Sequence, residues 1–193
     1  MTRTLRYKLI YAMVLIAAVA VAGLIVALIP NPTVLFLLAA AILVPGRLGA
    51  LFLKDLFRSR QLVSASRFGE AADAAERFLG DVKRQPWRRH FILCFFGIYT
   101  WNVEAMALNN LGVAQMHLGE LDRAESNLKA ALERDPEYAI PFFNLAAVAY
   151  ARAQTGEGDA LLSVARDKGY TGGSIDAIVS RASDAYAKMQ ARA

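Results

Sequence analysis

The chain is predicted to be all-α: an N-terminal transmembrane helical hairpin, then a short helical solenoid closed by a C-terminal capping helix. Three observations carry that fold class. Two apolar runs separated by Pro30-Asn31-Pro32 occupy residues 9–53. Beyond them, apolar residues recur at the three- and four-residue intervals of a helix face. Small and large residues also return in the same order from one helix pair to the next, the mark of a stacked repeat. The chain divides accordingly into a basic N-terminus (1–8), two membrane helices (9–53), juxtamembrane helices including a half repeat (54–103), repeats (104–172) and a capping helix (173–193).

Leu9 to Ile29 carries no charge. At 1.5 Å per residue the run spans ~31 Å, enough to cross a hydrocarbon core. Two prolines in three residues then break the helix, because proline donates no amide hydrogen and disfavours a helical residue before it. A second run extends from Thr33 to Val44 and resumes after Pro45-Gly46-Arg47 with Leu48 to Leu53. Arg47, near its end, can snorkel to the head groups. Two rivals to the hairpin stay open. Ala18-Val19-Ala20 has the form of a signal-peptide cleavage site, although the apolar run continues past it. Alternatively, Leu48 to Phe57 lies along the membrane surface instead of completing a span.

The net charge of +5 is unevenly spread. Residues 1–53 carry +4, residues 54–103 another +4 and residues 104–193 carry −3. The basic character is therefore membrane-proximal and suits lipid head groups as a partner, at ~1 kcal/mol per cation. No groove-reading or stacking motif accompanies it, so no nucleic acid is expected. Arg3, Arg6 and Lys8 precede the first run and Lys54, Arg58 and Arg60 follow the second, whereas the turn has no cation. By the positive-inside rule both ends face the cytoplasm. A single cysteine, incapable of an internal disulfide, fits that side. The expected location is a bacterial inner membrane, multi-pass, with a cytoplasmic repeat domain.

Within 54–103, Gly69-Glu70, Ala74, Phe78 and Pro86 anticipate, 50 residues early, a set that returns as Gly119-Glu120, Ala124, Leu128 and Pro136. This is the half repeat. Trp87-Arg88-Arg89-His90 then leads into an uncharged stretch, Phe91 to Trp101, too short to span a bilayer. It is read either as an interfacial segment, where Trp and Tyr rings prefer to sit, or as a buried extra helix beneath the first full repeat. Arg47, Lys54, Arg58, Arg60, Trp87, Arg88 and Arg89 are the candidate membrane-interface residues.

Residues 105–138 are the most informative segment. Leu108, Leu111 and Leu118 share one face of a first helix, and Gly112 inside it costs ~1 kcal/mol of helix propensity. Such a glycine admits a closely packed partner helix. Ala124, Leu128 and Ala131 supply that partner, Gly119-Glu120 make the turn, and Asp135-Pro136 end the second helix. In order and spacing the segment resembles a tetratricopeptide repeat, a 34-residue helix-turn-helix unit. The family's pattern has Trp at Leu108 and Tyr at Gln115.

A weaker unit follows. Tyr138, Phe142, Leu145, Ala146 and Ala149 restate the first helix, with Pro141 in its first turn. The turn Thr155-Gly156-Glu157-Gly158-Asp159 reads as two residues longer than before, Ala160, Leu161, Val164 and Ala165 form the second helix, and Gly169 stops it. After Gly172-Gly173, Ser174 is an N-cap, and Ile175, Ile178, Val179, Ala182, Tyr186 and Met189 form the apolar stripe of a cap that seals the core.

Reactive chemistry is scarce. Cys94 lies in an apolar run, and His90 and His117 have no partner at ligand spacing. Gly156-Glu157-Gly158 lacks the lysine and the preceding strand of a phosphate loop. The chain is not expected to be an enzyme, and neither a cofactor, a metal nor a small-molecule substrate is expected. The resemblance implies instead a concave groove, lined by first helices, that holds a protein partner. On the matching faces stand Met106, Asn109, Val113, Met116, His117, Phe143, Ala147 and Tyr150, the candidate partner-binding residues. Asn110 and Asn144 occupy the family's packing positions. The family's peptide-carboxylate clamp uses lysine, arginine and asparagine there, and the groove as read lacks the basic members. The expected function is a membrane-anchored protein-interaction scaffold. Its alternative is a structural or accessory subunit of a membrane enzyme or of a transport or envelope-assembly complex, with no free peptide groove.

Overall fold

The computed structural model describes residues 3–29, 31–95, 100–172 and 175–191, and every regular element among them is helical. α1 (Arg3–Leu28) and α2 (Pro32–Phe52) are the two apolar helices. Asn31 caps α2 by accepting from the Thr33 amide at 2.8 Å, and Pro32 takes the first turn, where a missing amide hydrogen costs nothing. α2 continues unbroken past Pro45-Gly46. Both helices are long and apolar enough to cross a membrane, and their spans are 0% and 6% buried within the chain. Helices apolar on every side need an apolar surrounding to cover them.

Only Leu53 separates α2 from α3 (Lys54–Ser64), which is followed by α4 (Phe68–Arg84) and a 3-10 segment (Pro86–Cys94). Then come α5 (Val103–His117), α6 (Leu121–Arg134), α7 (Ala139–Ala151), α8 (Thr155–Asp167) and α9 (Ile175–Gln190). α3 packs on α4, α5 on α6 and α7 on α8, while α4–α5 and α6–α7 contacts join successive pairs. What the sequence presents as half a repeat is thus completed to a whole pair by α3.

The three pairs share one register, at intervals of 53 and 34 residues. Ser59, Gly112 and Ala146 are the buried small residues of the first helices. Ala71, Ala124 and Gly158 answer them on the second helices, followed by Ala75, Leu128 and Leu162, then Phe78, Ala131 and Ala165. Each turn closes identically. Arg67 N donates to Leu62 O, Glu120 N to Gln115 O and Gln154 N to Ala149 O, each at 2.9 Å, around one left-handed residue: Ser66, Gly119 or Ala153.

Two expectations are corrected by this register. The upstream offset is 53, not 50, and Gly69-Glu70 lies in the first turn of α4 while Ser66 makes the bend. Likewise Thr155 to Asp159 is not a lengthened turn but the start of α8, whose buried face is Gly158, Leu162 and Ala165; Ala160 is exposed. Glycine marked the bend only at Gly119. At the other two turns backbone hydrogen bonds hold Ser66 and Ala153 at φ 57° and 60°, at a cost of ~1–2 kcal/mol each.

The 3-10 segment settles between the two placements left open for it. Phe91 and Trp87 pack on Phe52 of α2 at 5.0 and 4.9 Å between ring centroids, and Phe95 packs on Phe57 at 4.9 Å. Ile92 is buried with Leu53, Leu56, Phe78, Val82 and Val103 in the core shared by α3, α4 and α5. Trp87, Leu93 and Trp101 nevertheless remain exposed. The segment is a wedge that fastens the end of α2 to the repeats. Residues 96–99 lie outside the described ones.

The C-terminal helix seals the repeats from their inner face. α9 packs on α7 and touches α5, with Ala185 fully buried against Met116, Leu121, Ala147 and Val148. Ala185 takes the place expected for Tyr186, which is 47% exposed and accepts a hydrogen bond from Gln190. Met189 packs on the same cluster as expected. Ser174 and the side chains of Ile175, Ile178, Val179 and Ala182 lie outside the described ones.

Candidate functional site

The inner face of the stack is formed by α3, α5 and α7, and α9 lies along it in the same direction as α5 and α7. Arg181, in the first half of α9, donates to Asn144 Oδ1 at 3.0 Å, and its guanidinium stands 5.3 Å over the Phe143 ring. Near its end, the backbone of Lys188 and Met189 presses against Gly119: a Cβ there would meet it at 2.6 to 2.8 Å. A helix in this position occupies the space in which the resemblance expects a partner.

Most of the candidate groove residues are consequently in contact with the chain itself. Met116, Phe143 and Ala147 are buried, at 0%, 1% and 0% exposure, and α9 covers them. Phe143 also meets Tyr170 at 4.4 Å between ring centroids. Met106 is buried in the core between α3, α4 and α5. His117 stacks flat on Phe68 of α4, centroids 4.3 Å apart. Burial, and then the nearby Arg181 guanidinium, lower its pKa, with Asp184 opposing.

Tyr150 faces away from the groove. Its hydroxyl donates to Asp159 Oδ1 at 2.5 Å and its ring fills the space left by Gly158, between α7 and α8. The hydrogen bond to Asp159 raises its pKa.

Asn109, Val113 and one side of Met106 still meet solvent, at a cavity of about 300 Å³ bounded by α3, α5, α7 and the Tyr170–Gly172 loop. Arg60 and Arg181 open onto it as well. The sequence reading gives this groove no basic residue; folding brings two, because α3 and α9 lie outside the matched repeat. No linear spacing ties Arg60 or Arg181 to Asn109. Asn144 and Asn110 do make packing contacts: Asn144 Nδ2 donates to Asn109 Oδ1 at 2.8 Å, and Asn110 Nδ2 to Ser59 Oγ at 2.9 Å.

Of the candidate interface residues, Arg47, Lys54, Arg58, Trp87 and Arg89 are exposed at or near the end of α2. Arg88 is engaged within the chain, paired with Asp81 at 2.7 Å and stacked over Phe52 at 5.5 Å. Arg60 points to the inner-face cavity. Among the described residues no cluster of His, Cys, Asp and Glu has metal-binding geometry.

Residues 105–138 match the family model of the tetratricopeptide repeat. No curated protein and no solved structure matches the chain. The match covers α6 and nearly all of α5, and the flanking pairs keep its register of buried small residues and its turn geometry. Repeats of this kind serve protein–protein interaction, and this chain carries one of them at residues 105–138.

Proposed function

We propose that the chain is a membrane-anchored adaptor that holds one protein partner beside the bilayer and carries out no chemistry of its own. The observation that supports this most is the junction at Leu53: α2 passes into α3 through one residue, and Phe52, Trp87, Phe91 and Phe95 wedge that junction to the repeats. A repeat stack fixed in this way to an apolar helix is presented at a constant height and angle, unlike one on a flexible tether. In this reading α1 and α2 cross the inner membrane of a bacterium as a hairpin, with the repeats on the cytoplasmic side as the cation distribution directs. Arg47, Lys54, Arg58, Trp87 and Arg89 meet the lipid head groups.

A second reading is favoured by the placement of α9. A chain whose inner face is filled by its own helix suits a structural or accessory subunit, which would meet its neighbours through the outer face.

Two measurements test these readings. Single cysteines at Asn31 and Gly156, in a Cys94→Ser background, report sidedness: labelling of Gly156 only from the outside overturns the cytoplasmic assignment. Photocrosslinking in native membranes from Ile140 at the inner face and Arg166 on the outer face separates adaptor from subunit. The adaptor reading expects an adduct larger than the 21.1 kDa chain from Ile140. An adduct from Arg166 alone favours the second reading, and none from either site sinks both.

A further inference from the structure

The outward side of the 3-10 segment is an exposed row of mixed aromatic and apolar character. Side chains three residues apart eclipse in a 3-10 helix, so Trp87, His90 and Leu93 stand in one line, ~12 Å long at 2.0 Å per residue. All three are exposed, Trp87 at 48% and Leu93 at 51%, whereas Phe91 and Phe95 pack inward and Ile92 is buried. Trp101, also exposed, borders the same cavity as His90 and Leu93. Two tryptophans and a leucine therefore form an apolar surface that the described residues leave to an external partner.

The height of the row along α2 identifies that partner. Among the described residues of α2, Gly49 alone is buried, and a Cβ there would meet the Phe95 ring at 2.9 Å. Three residues on, Phe52 holds Phe91 and Trp87 at 5.0 and 4.9 Å between ring centroids. Both ends of the segment thus touch the last turn of α2, ~4.5 Å of helix from Gly49 to Phe52, and the row lies flush with that turn and not beyond it. With α2 spanning the membrane, the premise on which this rests, the turn sits at the edge of the bilayer. Tryptophan rings prefer that depth, and an apolar row bordered by cations is the pattern of an element lying in the interface.

Charge fits the same surface. Arg89 lies beside the row, Arg47 and Lys54 flank the last turn of α2, and all three are exposed and form no ion pair among the described residues. The acid that borders the row's cavity, Glu104, is paired with Arg134 at 3.2 Å. Uncompensated cations at this depth favour anionic head groups.

We propose that Trp87, His90 and Leu93 dock on anionic phospholipid of the leaflet in which α2 ends, with Leu93 and the Trp87 ring at the acyl boundary and Arg89 against phosphate. The bilayer then holds the repeat stack at two places, through α2 and through the row. A lone span tilts over a wide range, and the second contact fixes that tilt, and with it the angle of the inner face to the membrane.

The test places a nitroxide at Leu93→Cys, in a Cys94→Ser background, in the full chain reconstituted into phosphatidylcholine vesicles with and without phosphatidylglycerol. Oxygen collides more often with a label in the acyl region, a water-soluble nickel chelate with one in water. Labels at Leu37→Cys, within the apolar length of α2, and at Gly156→Cys on α8 are the references. With phosphatidylglycerol, the oxygen-to-nickel ratio at 93 should exceed that at 156 by at least about three-fold, and Arg89→Gln should remove about half of the excess or more. A label at 93 that reads like 156 while 37 reads immersed overturns the row and leaves the anchor standing. It is also the result expected of a face meant for a protein, since the vesicles hold no other. A label at 37 in water overturns the anchor, and the row with it. An equal ratio at 93 in pure phosphatidylcholine overturns the assignment to anionic lipid.

Discussion

A Cβ on Gly112 would lie 2.7 Å from Leu128 Cγ and 3.0 Å from the Ala124 carbonyl oxygen, so α5 and α6 cross at that glycine. Gly112→Ala gains up to ~1 kcal/mol of helix propensity but forces Leu128 off its seat, at a cost of about 1–3 kcal/mol. The expected outcome is a net loss of about 1 kcal/mol in urea denaturation of the detergent-solubilised chain. Gly69→Ala, where nothing lies within 4 Å, is the control and should gain about 0.5–1 kcal/mol.

Ala153 holds the left-handed bend between α7 and α8 at φ 60° without being a glycine. Ala153→Gly should stabilise the chain by about 1 kcal/mol, because the Cβ clash with the following carbonyl is removed. At the equivalent bend Gly119→Ala should do the opposite, and by more, since its Cβ would also strike the Lys188 backbone at 2.6 Å. Protease sensitivity of α9 distinguishes the two: it rises in Gly119→Ala only, because only that Cβ strikes the α9 backbone.

His117 gives the fold a pH dependence of known sign. Burial and Arg181 lower its folded pKa below 6.5, so the unfolded chain takes up the proton first. Stability is then complete above the unfolded value and falls as pH drops through the window beneath it. The urea midpoint should fall between about pH 7.5 and about pH 5.5, and His117→Phe, which keeps the stack on Phe68, should remove the part that belongs to this group. An unchanged slope in the variant would count against His117.

Thr100, 1% exposed, donates to Asp135 Oδ2 at 2.5 Å and accepts from the Asn102 amide at 3.0 Å. It ties the start of α5 to the end of α6, where Asp135 also accepts from the Glu137 amide. Thr100→Val keeps the shape and removes both bonds, with an expected loss of about 1–3 kcal/mol by thermal or urea unfolding. A loss well under 1 kcal/mol would mean that Asp135 is satisfied without it.

Helix type was legible in the sequence because apolar period and proline breaks are local properties, whereas α3 as the partner of α4 was not. Also legible was the central repeat, whose glycine, alanines and terminal proline each answer a local steric demand. The upstream register was not. Ser66 and Ala153 adopt glycine's conformation without being glycine, so the bends at 65–67 and 152–154 left no mark and the glycines at 69 and 156–158 drew the eye instead. Among the candidate residues Tyr150 turns outward to Asp159 and Arg60 turns inward, because the direction a side chain takes depends on how its helix is rotated against its neighbours.

By itself the sequence determined two apolar helices, a stack of helix pairs with one tetratricopeptide unit, and a basic N-terminal half. Each follows from short-range chemistry: hydropathy over a helix length, small residues at crossings, charge along the chain. Only the tertiary structure decided that α9 lies on α5 and α7, and that Arg60, Asn109 and Arg181 share a cavity. An amphipathic stripe states that a helix must be covered but not by what, and residues 60, 109 and 181 become neighbours only when three separate helices have packed.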